Sequence, residues 1–102
     1  MYNVHTMSIE FNWDPRKDKA NRKKHGVSFE EARSVFFDEN AIQFYDPDHS
    51  EEEERFILLG TNFKLNVLVV CHCFRENEHT VRIISARRAD KDEEAEYWRN
   101  RK

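Results

Sequence analysis

Apolar and polar residues alternate at Ile9-Glu10-Phe11-Asn12-Trp13. That period of two predicts a short, half-buried strand. Asp14-Pro15 then opens a helix, with Asp as N-cap and Pro at the first helical position. The helix is predicted to run to His25, and Gly26 is placed to close it in the left-handed conformation. Ser28 and Glu31 have the spacing of a capping box. They start a second helix, expected to reach about Phe37, with Ala32, Val35 and Phe36 as its buried stripe. Ala41–Tyr45 reads as a strand, Asp46-Pro47-Asp48-His49-Ser50 as a turn, and Glu51–Glu54 as an acidic continuation. Two long strands follow, Arg55–Leu59 and Leu65–Phe74, joined as a hairpin through residues 60–64. Arg75-Glu76-Asn77-Glu78 is the next turn, and Thr80–Ala86 the next strand. Asp90, with Glu93 at the capping-box position, starts a last helix that ends in Tyr97 and Trp98.

The order β-α-α-β-β-β-α predicts an α+β domain. Its expected form is an antiparallel sheet of about four to five strands, with two N-terminal helices and one C-terminal helix packed on it. Residues 1–8 read as a flexible lead-in and 9–102 as one domain, without internal repeat or linker. The 102 residues suffice for one core. Only two Gly and two Pro, beside eight Phe, argue against a disordered chain. No run of eighteen apolar residues suggests a membrane span. No charged start leading into an apolar stretch suggests a signal peptide. The expected location is the cytoplasm, with both cysteines reduced.

A net charge of −3 changes what can be expected of nucleic-acid binding. A local patch must supply it, not the whole surface. Arg16, Lys17, Lys19, Arg22, Lys23, Lys24 and His25 form such a patch on the first helix, opposed only by Asp18. A solvated helix face, an RNA-binding surface and a docking surface for an acidic protein all fit it. Arg87 and Arg88 stand where an apolar strand ends and a helix begins. Guanidinium groups held rigidly there suit a phosphate, which they can grip with two hydrogen bonds. Asp48, His49, Glu54 and Arg55 gather around one turn, where imidazole could move a proton and Arg55 could hold a phosphate. Local backbone bonding by Asp48 and Ser50 explains the same turn without function. Cys71-His72-Cys73 does not read as a metal site, because a strand sends His72 to the face opposite the cysteines. No metal or other cofactor is expected. Tyr97 and Trp98 fit an anchoring role, or stacking on a base.

Taken in order, Phe11–Pro15, Lys24–Ala32, Asp46–Ser50 with Glu54-Arg55, Arg82–Ala89 and Glu93–Tyr97 resemble the BrnT toxins of type II toxin–antitoxin systems. The likeness runs from about Ile9 to Trp98. It implies a RelE-like fold and ribonuclease activity that arrests translation. It also implies a BrnA antitoxin with a ribbon-helix-helix DNA-binding domain, through which operator DNA is bound indirectly, in a hetero-oligomer such as 2:2. On this reading RNA is cut without a metal, by attack of its own 2′-OH. Arg87, Arg88 and Arg55 would stabilise charge on the phosphoryl oxygens. His49 or Glu54 would transfer protons, and Tyr97 would position a base. Arg22, Lys23, Lys24 and Arg82 would contact the RNA backbone. The chain departs from the family in its last helix, commonly basic there but here Asp90-Lys91-Asp92-Glu93-Glu94-Ala95-Glu96. A rival reading is a non-catalytic module that binds a protein partner. A DNA-binding regulator in its own right ranks last, because no reading helix is evident.

Overall fold

The structure is a computed structural model and describes residues 9–75 and 79–101. The expected lead-in over 1–8 and residues 76–78 of the expected turn lie outside the described residues. Five strands and three α-helices follow in the order β1 (Glu10–Asn12), α1 (Pro15–His25), α2 (Phe29–Val35), β2 (Ile42–Asp46), β3 (Arg55–Thr61), β4 (Val67–Arg75), β5 (Thr80–Arg88) and α3 (Lys91–Asn100). A 3₁₀ turn, Pro47–His49, follows β2.

The five strands form one sheet in the order β1-β5-β4-β3-β2. The chain starts at one edge and carries α1 and α2 across a face of the sheet. It then returns strand by strand from the other edge. The pairs β2–β3, β3–β4 and β4–β5 are antiparallel. The sheet is nevertheless mixed, not wholly antiparallel as expected. β1 lies parallel to β5, with Phe11 opposite Val81. A first and last strand separated by a helical crossover meet in this way when the return leg is a meander.

Caps set the helix ends. The Asp14 side chain accepts from the Arg16 N–H at 2.8 Å, and Gly26 closes α1 at φ 71°. Capping boxes start α2 at Ser28/Glu31 and α3 at Asp90/Glu93. α2 ends at Val35, two residues short of expectation. The N–H groups of Phe36 and Phe37 donate three residues back, to Arg33 and Ser34, which tightens the chain into a turn.

The core lies on both faces of the sheet. Phe29, Ala32 and Val35 of α2 pack on Leu58, Leu68, Val70 and Ile83. On the opposite face Tyr97 of α3 covers Leu59, Val67 and Val69. α1 buries only one side chain, Asn21. Its amide donates to the carbonyls of Val27 (2.8 Å) and Ala86 (2.7 Å), and its oxygen accepts from the Ala86 N–H at 3.1 Å. The β1–β5 pairing ends at Arg82. Beyond it, Asn21 takes the place of a strand partner for β5. Among the described residues no helix is long and apolar enough to cross a membrane.

Candidate active site

α3 covers only part of its face of the sheet. Beside it lies an open cavity of about 380 Å³. Ile57, Val69 and Ile84 supply apolar lining, and Cys71 and Ser85 also border it. Four groups that can carry positive charge line it: Arg55, Arg87, His25 and His49. Three of the predicted site residues, Arg87, Arg55 and His49, are therefore brought together from β5, β3 and the 3₁₀ turn.

Arg87 leaves β5 on the face shared with Val69, its register partner on β4. Its Nη1 and Nη2 each donate to a different oxygen of Glu93 at 2.8 Å. Glu93 is also the capping-box residue of α3, so one carboxylate fixes both the helix start and the guanidinium. Hydrogen bonds from Arg87 hold the Glu93 carboxyl below its ordinary range, against the opposing effect of burial. The Arg87 side chain stays 43 % exposed, so a ligand can reach it.

Arg55 is the register partner of Asp46. Its Nε–H is buried and lacks a hydrogen-bond partner among the described residues. Glu53 approaches its Nη2 only at 3.7 Å. A buried, unbonded cationic donor at a cavity wall is an unmet demand for an acceptor. His49 is oriented by Asp46, whose Oδ2 lies 2.9 Å from Nδ1. With a proton on Nδ1, Nε2 is left as the basic nitrogen. The turn is tied down by Ser50, whose hydroxyl donates to the Asp46 carbonyl and accepts from the Arg55 N–H at 2.9 Å.

The other predicted site residues lie elsewhere. Arg88 follows Arg87 in the strand and so takes the opposite face; its Nη1 donates to Asn66 at 2.8 Å. Glu54 borders a separate depression beside Gln43, Phe56 and Phe74. Arg82 donates to Asn12 across the β1–β5 pair at 3.1 Å and does not line the cavity. Tyr97 is 1 % exposed, and its hydroxyl donates to Asp38 at 2.6 Å. A ring packed into the core has no free face for a base, so the structure gives Tyr97 the anchoring role. Arg22, Lys23 and Lys24 occupy the last turn of α1, which delivers His25 to the cavity.

Asp46 and Cys71 line the cavity without having been singled out for it in the sequence, and His25, read there as part of the basic helix face, lines it too. His25 stands four residues after Asn21, on the same helix face, so the Asn21 bonds to Ala86 set its position. Cys71 borders the cavity as a half-buried thiol. Burial pushes its thiol up, with Arg55 acting in the opposite sense. His72, by contrast, is wholly buried on the other face among Phe36, Phe56 and Phe74. Among the described residues no group of three or more His, Cys, Asp or Glu side chains is placed to hold a metal ion.

Two guanidinium groups, two imidazoles, the Asp46 carboxylate and apolar side chains meet in one open cavity of this α+β protein. A family model described as "Ribonuclease toxin, BrnT, of type II toxin-antitoxin system" matches residues 13–93. The chain belongs to this BrnT family. The crystal structure of the ribonuclease toxin BrnT of Brucella abortus superposes with a TM-score of 0.60 at 24% identity. The match covers 84% of this chain and 100% of that one. No curated protein sequence matches. The family is that of ribonuclease toxins that belong to toxin–antitoxin systems, which implies an antitoxin partner.

Proposed function

We propose that the chain is an endoribonuclease that cuts RNA without a metal, by attack of the 2′-OH on the adjacent phosphate, and thereby arrests translation. The observation that carries this reading is the convergence of Arg55, Arg87, His25 and His49 on one cavity. RNA brings its own nucleophile. The protein must remove the 2′-OH proton, neutralise the phosphoryl oxygens as negative charge builds, and protonate the leaving 5′-oxygen. Arg55 and Arg87 supply the charge, the contribution that is usually largest. The Nε2 of His49 acts as one proton-transfer group, and His25, which lines the same cavity, as the other. Arg22, Lys23 and Lys24 track the backbone of the same strand. The product is a 2′,3′-cyclic phosphate and a free 5′-hydroxyl. The antitoxin is a BrnA-like protein with a ribbon-helix-helix domain. It reaches the operator in a hetero-oligomer such as 2:2, in the cytoplasm.

Purified protein incubated with total RNA tests the reading. Cleavage is expected to persist under strong chelation. Arg55→Ala and Arg87→Ala are each expected to lower it about 100-fold, the usual cost of removing one charge-stabilising donor. Arg88→Ala is expected to change it little. Full cleavage by the Arg55→Ala/Arg87→Ala double variant, folded by circular dichroism, defeats the site assignment. Loss on chelation with rescue by a divalent ion defeats the metal-free mechanism. One observation favours a second reading: Glu93 already occupies Arg87 on both nitrogens. In that reading the cavity binds a protein partner and cuts nothing. Intact RNA after incubation with the free protein decides for it.

A further inference from the structure

On the far side of the Arg87–Glu93 pair, the face of the sheet next to α3 holds a second depression, of a different chemistry. Phe44, Ile57, Leu59 and Val69 make an apolar floor of about 320 Å³. Asp92, Glu93 and Glu96 of α3 form its rim. Past Phe44 and Glu96 it continues into a further space of about 420 Å³, bordered by Glu39, Ile42 and Asn100. Phe44 and Glu96 belong to both, so the two form one trough between α3 and the edge strand β2. No Lys or Arg lines either part among the described residues. Glu93 is engaged by Arg87, and Glu96 by Arg99 and Asn100. Asp92 and Glu39, near opposite ends, are exposed and have no ion-pair partner among the described residues. Phe44 is 43 % exposed in the floor.

We propose that this trough is the seat of the antitoxin's toxin-binding segment. That segment carries apolar side chains for the floor and lysines or arginines for the rim. The inference rests on the reading of the chain as an antitoxin-controlled toxin. Charge selects the occupant. Carboxylates along an apolar trench repel an RNA backbone and attract cations, whereas the neighbouring cavity does the reverse. Position gives the consequence. Ile57 and Val69 line both the trough and the cationic cavity. A segment seated over them abuts Arg87 and closes the approach of RNA from that side. Binding and neutralisation are then one event.

The test uses the full chain and the protein encoded beside it. Binding is measured by calorimetry, and inhibition by cleavage of RNA. Phe44→Ser, Asp92→Lys and Glu39→Lys are each expected to weaken the complex at least tenfold. Each should still cut RNA at the wild-type rate, now in the presence of partner. Rising salt should weaken the wild-type complex. Wild-type affinity in all three variants overturns the seat while leaving the toxin–antitoxin reading intact. Failure of the unaltered chain to bind its neighbour overturns both. The two charge reversals lie at exposed positions, so the test survives if Phe44→Ser does not fold.

Discussion

His72 shows what burial does to one titratable side chain. Its Nδ1 lies 3.2 Å from the Val70 carbonyl and its Nε2 3.1 Å from the Gln43 side-chain amide. Three phenylalanine rings close around it. Burial pushes its pKa from 6.5 down to about 4, against the Val70 hydrogen bond. The folded protein therefore holds this ring neutral, while the unfolded chain protonates it near 6.5. Stability from this source is complete above pH 6.5 and is lost as pH falls from 6.5 to about 4. At about 1.4 kcal/mol per pH unit, the loss comes to roughly 3 kcal/mol. Urea midpoints measured between pH 7 and 4 are expected to fall accordingly. In His72→Leu the same interval should be flatter; an unchanged slope would assign the pH effect to other groups. Asp38 is a hub of another kind. It accepts from Tyr97, from the Thr61 N–H and hydroxyl, and from the Asn40 N–H. Burial raises its carboxyl, but these donors outweigh it and the net shift is downward. Gly60 is required beside this hub: a Cβ there would lie 2.9 Å from Asp38 Oδ2 and from the Ala41 Cβ.

Among the elements, α1 has the least usual means of attachment. Its surface is mostly charged, and it is held to β5 by two hydrogen bonds between Asn21 and Ala86, with a third from Asn21 to the Val27 carbonyl, rather than by an apolar stripe. Replacing Asn21 by Ala strands the buried Ala86 N–H and C=O. The expected loss is about 2–4 kcal/mol, from two or more unsatisfied groups. Because His25 rides on the same helix face, RNA cleavage should fall further than stability alone explains. Chemical denaturation and single-turnover cleavage of the folded variant measure the two effects. A variant as stable as the parent would show that water replaces the amide. Asn21 also marks where sequence reasoning stops. Helix starts were legible because caps are local: Asp14, Ser28 and Asp90 each satisfy an N–H within three residues. The parallel pairing of β1 was not, because three alternating residues carry no information about their partner. An asparagine within a run of cations reads as solvated until β5 is placed beneath it. At the site, Arg55, Arg87 and His49 were legible as chemistry next to turns and strand ends. Arg88 and Glu54 were not separable from them by spacing. Facing depends on register, and the sheet also carries an irregularity between Cys71 and His72.

For the whole molecule, the segregation of charge matters more than its total. The net charge is −3, yet the last turn of α1 holds Arg22, Lys23, Lys24 and His25, while the first turn of α3 holds Asp92, Glu93 and Glu94. Screening at physiological salt limits each patch to about 8–10 Å. On the proposed reading, RNA would meet the cationic cavity and its helix without being repelled by the acidic trough as a whole. This arrangement separates binding from chemistry in a measurable way. Each phosphate contact with single-stranded RNA contributes about 0.7 to the slope of log affinity against log salt. Lys23→Ala/Lys24→Ala is expected to lower that slope by roughly 1.4 if each lysine neutralises one phosphate. Cleavage at saturating RNA should be unchanged, because neither side chain lines the cavity. Arg55→Ala should behave oppositely, lowering the saturated rate more than the affinity. Filter binding across a salt series, paired with single-turnover cleavage, distinguishes the two classes. An unaltered salt slope in the lysine variant would move the RNA path off α1 and leave the helix as a carrier of His25 alone.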